Sequence, residues 1–231
     1  MIIEFYGLPG SGKTTVANQL CNTLKENRVP YITADNYLKE YCRKGSTLKS
    51  LLHPYCFKFI ISVLGIAAKY KLIRKKDVII RIIRIAPVID YYRTHQDELI
   101  IMDQAVIQQF VSAFYNYCEL SKTDMYMIPS IIDKYSIKPV HVTAATSVAS
   151  NRISIRGEET HGRLDSIIDN GERRNVLIVQ EKNFSECRSL LENSNKSIDF
   201  DNTKSGVINV TPLLKALDLV EEKGLETVWD A

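Results

Sequence analysis

The sequence predicts an α/β fold built on a parallel sheet, and three observations point to it. Short apolar runs recur with helix-patterned stretches between them, a glycine-rich turn follows the first run, and a later run closes on an acid, Asp103. Strand-like runs that alternate with helices indicate βαβ units.

The first run, IIEFY, leads directly into GLPGSGKTT. Beyond that turn Val16, Ala17, Leu20, Cys21 and Leu24 repeat at i, i+3, i+4 spacing, the pattern of a half-buried helix. Further strands are expected at YITAD, ELIIMD, KPVHVTA and KSIDFD, with helices over about 104–120, 172–193 and 211–223. Between Tyr37 and Arg93 the pattern is helical throughout and strongly basic. From Lys39 to Arg93, thirteen Lys or Arg stand against three acids, Glu40, Asp77 and Asp90, in a chain whose overall charge is only +3. No repeat, low-complexity tract or flexible linker interrupts the chain. It reads as a single domain over 1–231 with a helical insertion over about 39–95.

Composition narrows the class. A chain 45% hydrophobic and 25% charged is ordinary for a globular protein. Its five cysteines form no CxxC pair, which argues against a zinc site or a disulfide framework and suits a reducing cytoplasm. MIIEFYG lacks the basic start of a signal peptide. The most apolar stretch, YCFKFIISVLGIAAKYKLI, carries Lys58, Lys69 and Lys71 and would make a poor membrane span. A soluble, cytoplasmic protein with no integral membrane segment is expected.

Gly7, Gly12, Lys13 and Thr14 match G-x-x-x-x-G-K-[ST], with Gly10 as an additional glycine. Glycines let backbone N–H groups approach phosphate oxygens, and the following helix adds the positive end of its dipole. Gly7, Pro9, Gly10, Ser11, Gly12, Lys13, Thr14 and Thr15 are therefore expected to cradle a nucleotide's phosphates. Lys13 would reach the β- and γ-phosphates, and Thr14 would place its hydroxyl on Mg²⁺. Asp103 ends a strand in the same crevice, where it would hold the metal or orient an attacking oxygen. The alternative is that it caps the next helix. Asp35, ending YITAD, has the same two readings, substrate contact or cap.

A second signal lies in NRISIRGEETHGRLD. Arg152 and Arg156, four apart, share one helix face, Gly157 ends that helix, and a polar loop closes at Arg163, Leu164 and Asp165. Arginines on such a lid, about 152–166, would neutralise a transferring phosphoryl group and exclude water. The alternative is a solvated helix end with ordinary basic residues.

Taken together, GLPGSGKTT, LIIMDQ and NRISIRG…GRLD resemble the nucleoside-monophosphate kinases, most closely the thymidylate-kinase branch. The resemblance implies a three-layer α/β/α P-loop kinase fold with a five-stranded parallel sheet in the order 2-3-1-4-5. It also implies ATP with Mg²⁺, catalysis through Lys13, Asp103, Arg152 and Arg156, and DFDNTKSG passing beside the adenine. The departures fall on the acceptor side. Pro9 stands where thymidylate kinases carry an acid, Asp103-Gln104-Ala105 replaces Asp-Arg-aromatic, and Ser112-Ala113 replaces Tyr-Gln. The acceptor is left open among nucleotides, nucleosides and other anionic metabolites.

Asp35, Gln104, Arg163 and the insertion's Arg81 and Arg84 are the residues expected to hold that acceptor. For any one basic residue of the insertion, the alternative is a solvated side chain snorkelling over a helical core. From a different class, the chain could be a P-loop ATP-binding regulator or assembly ATPase whose basic insertion grips a partner. No nucleic-acid motif is present, and a homodimer is compatible with the pattern.

Overall fold

A computed structural model describes residues 1–33, 50, 53–114, 117–157, 170–192, 197–203 and 208–219. Strands β1 (Ile2–Tyr6), β2 (Ile32–Thr33), β3 (Ile100–Met102), β4 (Ile137–Thr143) and β5 (Ile198–Asp201) form one sheet. Its order is β2-β3-β1-β4-β5 and every pairing is parallel, as expected. In the central strand Ile2 lies opposite both Ile100 and Ile137.

Eight helices accompany the sheet among the described residues. They are α1 (Lys13–Glu26), α2 (Pro54–Lys69), α3 (Lys76–Thr94), α4 (Val106–Phe114), α5 (Met127–Tyr135), α6 (Thr146–Gly157), α7 (Asn170–Glu192) and α8 (Thr211–Ala216). Side chains alternate across a strand, so β1 serves two cores. Ile3 and Phe5 pack with Val16, Leu20 and Leu24 of α1 and Leu213 and Leu214 of α8. Ile2 and Tyr6 enter a larger core with residues of α2 to α7. Helices on both faces of the sheet give three layers. Glu4 stands in the same row as Ile2 and Tyr6 and is fully buried, a carboxyl planted inside the larger core.

The expected helix over 104–120 is shorter, Val106–Phe114, while α7 agrees with its expected span to within two residues at either end. The basic segment yields α2 and α3, which pack on each other. Its residues 39–49 lie outside the described residues, as does the expected end of the last helix beyond 219. Helix α5 is not among the helices expected from the sequence, and it contains Pro129. As the third residue of the helix it sits in the first turn, where the missing N–H has no intrahelical partner anyway. Ile128, Ile131, Ile132 and Tyr135 then bury one face.

Asp124 ties α2 to the segment before α5. It accepts hydrogen bonds from Lys69 Nζ and Tyr70 OH, both at 2.7 Å, and from Ser121 Oγ at 2.7 Å. Burial alone would raise this carboxyl, but the surrounding donors outweigh it and hold its pKa at about 2. No helix among the described residues is long and apolar enough to cross a membrane.

Candidate active site

The glycine-rich loop leaves the carboxyl end of β1 and closes on α1, at the crevice where open parallel sheets bind ligands. Gly7 and Gly12, like Gly10, are required by their surroundings. Gly7 has φ 144°, and a Cβ there would collide with the Val142 carbonyl of β4. Gly12, the residue before α1, has φ 88° and would drive a Cβ into the Asn202 amide. The first amides of α1 have no partner within the helix and are suited to an anion.

Lys13 is nearly buried, and its Nζ donates to the Gly7 and Leu8 carbonyls at 3.0 and 2.7 Å. Thr14 Oγ1 donates to Asp103 Oδ2 at 2.7 Å. The two residues expected at a metal, 89 positions apart, are thus in direct contact. Both offer hard oxygen ligands, which fits Mg²⁺, an ion usually held by one or two protein groups together with waters and substrate phosphates. Among the described residues no group of three or more His, Cys, Asp or Glu is placed to hold a metal.

Arg152 reaches the loop from α6. Its Nη1 donates to the Gly10 and Ser11 carbonyls, both at 3.4 Å, and its Nη2 to the Asn202 carbonyl at 3.1 Å. Asn202 Nδ2 donates to the Ser11 carbonyl at 2.7 Å, and the Asn202 N–H to Thr143 O at 2.8 Å. Helix α6 runs through Gly157, after which the described residues resume at 170. The side chain of Arg156 lies outside what the structure describes, as do Asp35, Arg163 and the remainder of the lid from 158 to 166.

On the opposite flank the brace comes from α4. Gln108 Oε1 accepts from the Gly7 N–H at 3.1 Å, and its Nε2 donates to Ser112 Oγ at 3.2 Å. The amides of Ile107 and Gln108 donate to Glu4 Oε1 at 2.6 and 3.4 Å, so the carboxylate on these first amides of α4 comes from β1. Burial raises the Glu4 pKa to about 7, against the opposing pull of these amides and of the Tyr92 hydroxyl.

Beside Glu4's strand, His141 of β4 pairs in register with Tyr6 and stacks on it at 4.8 Å. Burial, with the charges of Arg188 and Lys13, lowers the imidazole to about 4. The ring is therefore neutral at pH 7, and its 3.6 Å approach to Asp199 is no ion pair there. Asp199 pairs with Arg188 instead. Glu4, Gln108 and His141 escaped the sequence reading, while Asn202 was singled out only as part of DFDNTKSG. A glutamate inside IIEFY and a glutamine inside the apolar AVIQQFV were the signals available.

Of the residues expected at the acceptor, Arg81, Arg84 and Gln104 fall within the described residues. Arg81 is half-buried with Nη1 3.4 Å from Gln109 Oε1 of α4, whereas Arg84 and Gln104 are exposed. A cavity of about 100 Å³ between α2 and α5 is lined by Tyr55, Lys58, Phe59, Ser62, Tyr126, Met127 and Ser130, and Arg81, Arg84 and Gln104 are not among its lining residues.

No protein-family model matches the chain, and no curated protein does. Among solved structures, deoxyadenosine kinase from M. mycoides with bound dCTP is similar at TM-score 0.54 and 15% identity, over 95% of this chain and 100% of that one. The same enzyme with bound dATP aligns at TM-score 0.54 and 16% identity, over 94% and 99% of the two chains. What is shared is the fold. It is a five-stranded parallel sheet with helices on both faces.

Proposed function

We propose that this chain is an ATP-dependent kinase that transfers a phosphoryl group to a small acceptor, and that the acceptor is a nucleoside or nucleotide. The observation that carries the reading is the Thr14–Asp103 contact of 2.7 Å beside a loop that Lys13 and Arg152 also touch. The similarity to deoxyadenosine kinase favours a nucleoside-type acceptor over thymidylate specifically.

In this reading Lys13 and the α1 amides bind the phosphates, while Arg152 and Arg156 meet the charge that spreads over the transferring group. Thr14 and Asp103 would hold Mg²⁺, which supplies charge neutralisation at the phosphate oxygens. Asp103 also orients the acceptor's attacking oxygen, and Asp35, Gln104, Arg81, Arg84 and Arg163 are the residues that would hold the acceptor. Little covalent chemistry is asked of the protein, so it acts by positioning and charge.

ADP release from Mg-ATP, measured across nucleosides, nucleoside monophosphates and phosphorylated sugars, tests the reading. Stimulation by a nucleoside or nucleotide, lost in Lys13→Ala and Asp103→Asn, is the expected result. A basal rate that no small acceptor changes would overturn it in favour of an ATP-binding regulator.

A further inference from the structure

We propose that Gln108 is a positioning residue for phosphate binding: from the buried side of α4 it holds the Gly7 amide and so presets the shape of the phosphate loop. Both ends of its carboxamide are committed, the oxygen to the Gly7 N–H at 3.1 Å and the nitrogen to Ser112 Oγ at 3.2 Å. That pairing fixes which end faces the loop, because a flipped amide would set a donor against a donor. The side chain is 6% exposed in a helix otherwise dominated by Val106, Ile107, Phe110 and Val111. A polar group buried there costs stability unless it is bonded, so packing alone does not explain a glutamine.

Both backbone polar groups of Gly7 are held, its N–H by Gln108 and its carbonyl by Lys13. Lys13 cannot keep its ammonium on that carbonyl in full while reaching a β- or γ-phosphate. Gln108 makes no such exchange, and it remains the fixed hold on the hinge between β1 and the loop. Its own backbone N–H is anchored on Glu4, three residues before Gly7 in the chain, so helix and hinge hang from one strand. The next residue, Gln109, takes Arg81 of α3. One turn of α4 therefore touches the phosphate loop and the basic helix pair.

The binding part of this proposal needs only the loop's affinity for phosphate, whereas its effect on turnover rests on the kinase reading. Titration calorimetry with Mg-ATP on the full chain tests the first part. Gln108→Met should weaken ATP binding about tenfold, the loss expected when a buried N–H is orphaned. Ser112→Ala keeps the Gly7 bond and should stay within about twofold of wild type. ATP affinity unchanged in Gln108→Met, or lowered equally in both variants, overturns the proposal.

Hydrogen exchange on the unmodified protein guards against a variant that does not fold. The Gly7 amide should be as protected as those of β1, and rapid exchange there sinks the idea without any mutant. Should the wild type bind ATP but show no acceptor-stimulated turnover, the kinase reading fails while the Gln108 effect on affinity stands.

Discussion

The two sides of the crevice are built on different terms. On the phosphate side, segments from β1, α1, β3, α4, α6 and the end of β5 close on one loop, and Lys13, Thr14, Gln108, Arg152 and Asn202 are all bonded within it or to its neighbours. On the basic-helix side, Arg81 Nη1 lies 3.4 Å from Gln109 Oε1 and Arg84 is exposed. A phosphate chain is the same in every nucleotide triphosphate, so a rigid cradle of backbone and short side chains suffices. In the proposed kinase the acceptor is what distinguishes one enzyme from another, and the side proposed to meet it carries long side chains such as Arg81 and Arg84.

Lys13→Ala should break the contrast most severely, lowering kcat by about 10³-fold, the scale of losing a preorganised donor to developing charge. Steady-state ADP release with the best acceptor measures it. A loss below tenfold would place the phosphate contacts elsewhere.

Next comes the support under the loop. The carboxyl of Glu4, at about 7 against an ordinary 4.5, binds a proton more readily in the folded chain. Its contribution to stability is present below pH 4.5 and lost as pH rises through 7, on the order of 3 kcal/mol in total. His141, at about 4 against 6.5, works in the other direction, with a contribution present above pH 6.5 and lost as pH falls through 4. Glu4→Gln should therefore raise the urea midpoint at pH 8 and leave a profile that climbs between pH 4 and 6.5. His141→Phe should leave one that falls between pH 4.5 and 7. Unfolding curves that keep the wild-type pH dependence in both variants would show that neither group governs it.

Asp103→Asn should reduce kcat by about 100-fold and raise the Mg²⁺ concentration needed for half-maximal rate. An unchanged Mg²⁺ requirement would remove Asp103 from the metal. The smallest change belongs to Arg84→Ala, with less than about a threefold rise in acceptor KM, as for an exposed charge free to reorient. A large rise there would show the basic side to be as fixed as the phosphate side.

Much of this was legible in the chain. Gly7, Gly12, Lys13 and Thr14 carry their meaning at fixed local spacing, and the apolar run before Asp103 places it at a strand end. The sheet order followed once that pattern resembled a known fold. What could not be read were partnerships made across the fold. Gln108 lies 101 positions from Gly7 and Asn202 lies 191 from Ser11, and no local period encodes such pairs. Glu4 offered a hint, since a charge in the middle of a central strand must be answered by something. What answers it, the start of α4, depends on how helix and strand dock.

The Val142 carbonyl that walls Gly7 and the Asn202 amide that walls Gly12 have a consequence for biosynthesis. The ribosome finishes the whole glycine pattern within the first fourteen residues, yet the last of its walls emerges only with residue 202. A nascent chain thus displays the motif long before the strands and loops that wall it are made.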